Sequence, residues 1–106
     1  MKPVDFRNAT WEEMQGRLAG MRMTVLEAWR KHGPGTTREI AQRSGIDLLQ
    51  LRPRTTELVE LGFVELIGDE RGTEGIYRAR SYAEAQKLFN QHKREATLGY
   101  QPELKL

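Results

Sequence analysis

The stretch ELVELGFVELI, residues 57–67, changes its periodicity at one glycine. Upstream of Gly62, Leu58 continues an apolar series with Leu51 and Thr55, closed by Leu61 or Gly62, at the spacing of one helical face. Downstream, FVELI at 63–67 reads as a short strand, with Val64 and Leu66 inward and Glu65 outward by alternation. Helix passes into strand with no loop between them, and this passage orders the rest of the chain.

Upstream, the helix is predicted over 48–61, with Asp47 as its cap. It contains Pro53, which removes a backbone donor and crowds the preceding turn, set between Arg52 and Arg54. The outward positions near its start are Leu49, Gln50, Arg52, Pro53, Arg54, Thr56 and Glu57. Before it, TTREIAQRSG gives a short helix over 37–44, with Ile40 and Ala41 inward and Gly45 at its C-terminal end. Two short helices joined by a tight glycine-containing turn form a helix-turn-helix pattern.

A hydroxyl residue followed three positions later by glutamate can satisfy two orphan backbone donors reciprocally. The chain does this at Thr10/Glu13, Thr36/Glu39 and Ser81/Glu84, which marks three helix starts. From Thr10, the apolar series Trp11, Met14, Leu18, Met21, Val25 and Ala28 predicts a helix over 11–32, ended by KHGPG at 31–35. Leu26 and Trp29 widen its later half into a core-facing stripe. Gly16 and Gly20 each cost up to ~1 kcal/mol against alanine, which favours a kink near Gly20. The narrow Trp11–Met14–Leu18 seam calls for another helix beside it, supplied by Leu88 and Phe89 within the chain or across a two-fold axis, and a homodimer is expected.

Downstream, IYRAR at 76–80 is a second strand with Tyr77 inward, and GDERGTEG at 68–75 is read as a long glycine-rich hairpin tip. Tyr82, Ala85, Leu88, Phe89 and His92 mark a last amphipathic helix over 81–95. The final TLGYQPELKL is expected to trail off or to fold only against a partner.

With 106 residues the chain is one small domain, and without cysteine it has neither disulfides nor a thiolate metal site. No apolar run reaches transmembrane length and the N-terminus lacks a signal core, so a cytoplasmic protein is expected. Net charge is only +2, but its distribution is uneven. Arg38, Arg43, Arg52 and Arg54 dominate 38–54, five acids and no base fill 57–70, and Arg71, Arg78 and Arg80 outnumber Glu74 over 71–80.

Helix, helix, helix, two-stranded hairpin and helix is an order that resembles the winged helix-turn-helix superfamily of bacterial and phage regulators. TTREIAQRSGIDLLQLRPRTTELVELGFVELI and YRAR carry the resemblance. It implies a mainly α fold with a small antiparallel β hairpin. The division would be a helical extension at 1–20, the winged-helix domain at 21–80, a C-terminal helix at 81–96 and a flexible tail at 97–106. It further implies that the third helix enters the major groove of double-stranded DNA while the wing reaches a neighbouring groove or backbone. Laid onto this chain, the contacts fall on Gln50, Arg52, Arg54 and Thr56 of that helix, Arg38 before it and Arg71 at the wing tip. Arginine pairs with guanine and glutamine with adenine through two hydrogen bonds each. The function implied is sequence-specific DNA binding, by a small transcriptional regulator or a phage DNA-metabolism accessory.

Leu48 and Leu49 keep a second class open, a winged-helix module that grips another protein. An enzyme is not expected, because the chain carries no phosphate-cradling loop, nucleophile motif or paired catalytic carboxylates. His32 and His92 have no ligand-like neighbours, so neither metal nor other cofactor is expected.

Overall fold

A computed structural model describes residues 5–71 and 74–98, with the side chains of residues 69–71 left aside. The elements run α1 (Trp11–Gly16), α2 (Met21–His32), α3 (Thr37–Ser44), α4 (Leu48–Leu61), β1 (Val64–Arg71), β2 (Glu74–Ala79) and α5 (Tyr82–Leu98). No helix among these residues is long and apolar enough to cross a membrane.

The expected single helix over 11–32 is two helices. Gly20 takes φ +58°, a left-handed conformation that ends helical continuity, and stands as the N-cap of α2. Leu18, in the break, still turns into the core and is 6% exposed. Thr36 and Glu39 close their capping box, and Ser81 and Glu84 exchange the same pair of bonds at 2.9 and 3.1 Å. At Thr10 only the hydroxyl half forms, accepting from the Glu13 amide at 3.1 Å.

Helix α4 ends as its sequence requires. Gly62 takes φ +91° and its amide reaches back to Leu58 O and Val59 O, so the chain leaves the helix directly into Phe63 and β1. The strands pair antiparallel, Val64 with Ala79, Glu65 with Arg78 and Leu66 with Tyr77, and then slip so that Gly68 meets Ile76 and Arg71 meets Glu74. The hairpin is therefore longer than the expected strands at 63–67 and 76–80, because irregularities on either side of Gly68 let the ladder continue into the glycine-rich segment. Tyr77 also exchanges backbone bonds with Gly35, at 2.8 and 3.1 Å, which ties the hairpin to the α2–α3 connection.

One core joins all of these elements. Val25, Leu26, Trp29, Ile40, Leu51, Leu58, Phe63 and Val64 are fully or almost fully buried, and Ala41 and Tyr77 pack partly buried at its margin. Leu66 departs from the expected inward set at 57% exposure. It lies two residues beyond Val64, past the helices, and its Cδ1 occupies the space over Gly75 instead of the core.

The apolar seam of α1 is covered within the chain. Met14 and Leu18 are buried in the same core as Ala85 and Phe89 of α5. Trp11 lies between Phe63 and Phe89 at ring separations of 5.8 and 5.7 Å, and Phe6 meets Phe89 and His92 at 5.9 and 4.9 Å. Lys93 Nζ donates to Ala9 O at 2.6 Å across the same seam. This seam therefore offers no free face for a second copy. Helix α5 continues to Leu98, past the expected end at 95, and the remainder of the expected tail lies outside the described residues.

Candidate nucleic-acid interface

The turn between α3 and α4 is short and fully specified. Gly45 closes α3 with φ +79°, and Asp47 caps α4 by accepting from the Leu49 amide at 2.8 Å. With its aliphatic neighbour Leu51 buried, α4 presents the start of its opposite side to solvent. Pro53 sits in the second turn without breaking the helix. It leaves the Leu49 carbonyl without its helical donor, but on the exposed side, where water can serve it.

The exposed side has a centre and two flanks. Leu49, Pro53, Thr56 and Glu60, at steps of four, three and four, form the central strip, and Leu49 is 78% exposed. Gln50 lies exposed on the first turn. Residues two apart on a helix point about 200° apart, so Arg52 and Arg54 leave the strip in different directions.

Arg52 turns toward the hairpin. Its Nη2 lies 3.7 Å from Glu74 Oε1, and Arg38 of α3 donates its Nε–H to the same carboxylate oxygen. A cleft of about 260 Å³ lies at this meeting of α3, α4 and β2, lined by Thr37, Arg52, Thr55, Thr56, Glu74 and Tyr77. Arg54 instead folds along α4 and donates to Glu57 Oε1 at 2.9 Å, where Arg22 Nε of α2 also donates at 2.9 Å. The hydrogen bond from Arg22, reinforced by the charges of Arg22 and Arg54, holds the Glu57 carboxyl below its ordinary range. The Thr56 hydroxyl donates to Arg52 O at 3.2 Å, which leaves its oxygen lone pairs facing outward.

Of the six residues singled out from sequence, Arg52, Thr56 and Arg38 thus gather on the face shared by α3, the start of α4 and the hairpin, while Gln50, one turn before Arg54, is exposed on the other side of the strip. Arg54 lies on the far flank. The Arg71 side chain lies outside the described residues. From sequence, Glu74 counts only as the acid that Arg71, Arg78 and Arg80 outnumber over 71–80. Its partner Arg38 is 36 residues away, and no local signal joins the two. No group of three or more potential metal-binding His, Cys, Asp or Glu side chains occurs among the described residues.

No family model matches the chain, and no curated protein matches it in sequence. Solved structures do. One is the crystal structure of a possible transcriptional regulatory protein (fragment 1–100) from Mycobacterium bovis, with 23% identity and a TM-score of 0.52 over 86% of this chain and 99% of that one. Another is the solution structure of a homodimeric winged helix-turn-helix DNA-binding domain (fragment 1–100) from Mycobacterium bovis, described as a possible ArsR-family transcriptional regulator. It shares 22% identity and a TM-score of 0.53 over 92% of this chain and 91% of that one. The similarity spans the helices and the hairpin together, and the chain has the winged helix-turn-helix fold.

Proposed function

We propose that this protein is a cytoplasmic, sequence-specific double-stranded DNA-binding protein that acts as a small transcriptional regulator. The observation that carries the proposal is the solvent-facing start of α4, where Arg52 and Thr56 stand beside Arg38 and the hairpin and Gln50 is exposed on the first turn. A helix in the major groove reads base edges through its first turns, and a wing adds backbone contacts. Arg52 and Gln50 carry donor patterns suited to guanine and adenine, Thr56 and Arg38 suit phosphate, and Arg71 extends the contact along the wing. Arg54 contributes by buttressing the helix through Glu57. Residues 21–80 would make the DNA contacts, with 1–20 and 81–96 as a brace around the core and 97–106 as a tail.

The working unit we propose is a homodimer, since two copies place two reading helices on adjacent half-sites. The homodimeric state described for the similar domain supports this. Because the α1 seam is occupied, the contact must use another surface. Light scattering from micromolar to high-micromolar concentration tests it, and a monomer throughout would exclude the dimer for the free protein.

The decisive experiment measures binding to random duplex as a function of salt, followed by selection of a preferred site. A steep salt dependence and a selected consensus are expected, and their absence would refute DNA binding. One observation favours a second reading. Leu49 is 78% exposed on the first turn of the reading face, which suits a protein-binding module whose partner covers it.

A further inference from the structure

The two arginines nearest the hairpin do not project freely. Both converge on one carboxylate, Glu74 of β2, with Arg38 donating from the first turn of α3 and Arg52 lying 3.7 Å away on α4. The Arg38 side chain is 64% exposed and that of Arg52 is 48% exposed, whereas Glu74 is only 29% exposed. The acid is therefore recessed between two cations that reach outward past it. Glu74 pairs with Arg71 across the hairpin, and the Leu66 and Tyr77 side chains fill the space that a Cβ on the next residue, Gly75, would need.

From this geometry we infer that Glu74 is an intramolecular counter-ion that masks Arg38 and Arg52 and so limits the affinity for DNA. The inference rests on the DNA-binding function proposed above. Duplex DNA approaching Arg38 and Arg52 brings a second source of negative charge beside Glu74. It must draw the guanidinium groups off the carboxylate while being repelled by it. Two exposed ion pairs are individually weak, so the mask is reversible and dsDNA can remove it. While the mask is present, however, fewer cations are available to release counterions from the duplex.

The test compares wild type, Glu74→Gln, Glu74→Asp and the Arg38→Ala/Arg52→Ala double variant with and without Glu74→Gln. All bind a random-sequence duplex over a salt series, and circular dichroism checks their folding. Glu74→Gln should bind about three- to thirtyfold more tightly at low salt, consistent with release of two exposed pairs. Its logarithmic salt slope should steepen by about one to two, and the gain should shrink as salt rises. Glu74→Asp, which keeps the charge, should stay within about twofold of wild type.

In the background lacking both arginines, Glu74→Gln should gain less than about twofold, because the pairwise coupling has gone. Unchanged or weaker binding by Glu74→Gln with an unchanged slope would overturn the mask. An equal gain without the arginines would overturn it as well, since only net charge would then matter. If folded wild type binds no duplex at any salt, DNA binding itself fails and the mask with it. Wild-type binding with no response to Glu74→Gln removes the mask alone.

Discussion

Trp29 Nε1 donates to Thr55 Oγ1 at 2.9 Å, and the same hydroxyl donates to Leu51 O at 2.9 Å. Both residues are buried, at 1% and 2% exposure, so this pair fixes the rotation of α4 about its own axis against α2. That rotation sends Arg52 toward the hairpin and Arg54 toward Arg22. Thr55→Val keeps the shape but strands the indole N–H, which should cost about 1–3 kcal/mol of stability. Thr55→Ser keeps the hydroxyl and should cost about 1 kcal/mol, for one lost methyl. Urea unfolding of the two variants checks this, and equal losses would mean that the hydrogen bond contributes nothing specific.

The divergent directions of Arg52 and Arg54 separate their effects. Arg52→Ala should relax base preference at one position of a selected site, by about 1–3 kcal/mol of discrimination. Arg54→Ala should leave preference intact, because that guanidinium is engaged with Glu57. Arg71→Ala should weaken preferred and random sites alike and lower the salt slope by about one. Fluorescence anisotropy with matched and single-mismatch duplexes distinguishes the three outcomes. A preference lost with Arg54 and kept without Arg52 would reverse the assignment.

Leu49 stands at the N-terminal end of the exposed strip and packs on little, so Leu49→Glu should leave the melting temperature almost unchanged. On DNA, a carboxylate at that point faces the phosphates and should lower affinity about tenfold or more. If binding to DNA survives Leu49→Glu while capture of a protein partner is lost, the strip is a protein-docking surface.

Glu84 links the hairpin to α5. Arg78 Nη2 donates to it at 2.7 Å and the Ser81 amide at 2.9 Å. The hydrogen bond from Arg78, with the Ser81 bonds and the Arg78 charge added, lowers its pKa from 4.5 to about 2. A carboxylate depressed in the folded state stabilises fully above its unfolded value of 4.5 and loses that contribution as pH falls toward about 2. Wild type should therefore melt above Glu84→Gln at neutral pH, with the gap constant down to about 4.5 and closing toward about 2. Thermal melts across that range check it, and a gap that persists at pH 2 would show that packing, not ionisation, is responsible.

Much of the fold is legible because its signals are local. The Thr36/Glu39 box, Asp47 and the glycines at 45 and 62 mark α3, α4 and the entry to β1 within a residue or two. Each acts through its own backbone conformation or a bond three residues away. The break at Gly20 was visible only as a weak preference, since a glycine tolerates a helix as well as a turn, and packing of Leu18 decides between them. Gln50 and Arg52 were legible as exposed because each is turned about 100° off the buried Leu51, to opposite sides of the helix.

Short-range chemistry thus determined the element order, the helix caps and the solvent-facing side of α4, and these follow from sequence by itself. Only the tertiary structure decided that α5 covers the α1 seam, that Leu66 lies beyond the core, and that Glu74 holds Arg38 and Arg52. The reason is distance along the chain. Glu74 and Arg38 are 36 residues apart and Lys93 and Ala9 are 84 apart, so their meeting depends on how whole elements dock. A periodic pattern says which side of a helix is apolar, but the partner for that side, and the charge that faces its polar side, are set when the elements pack.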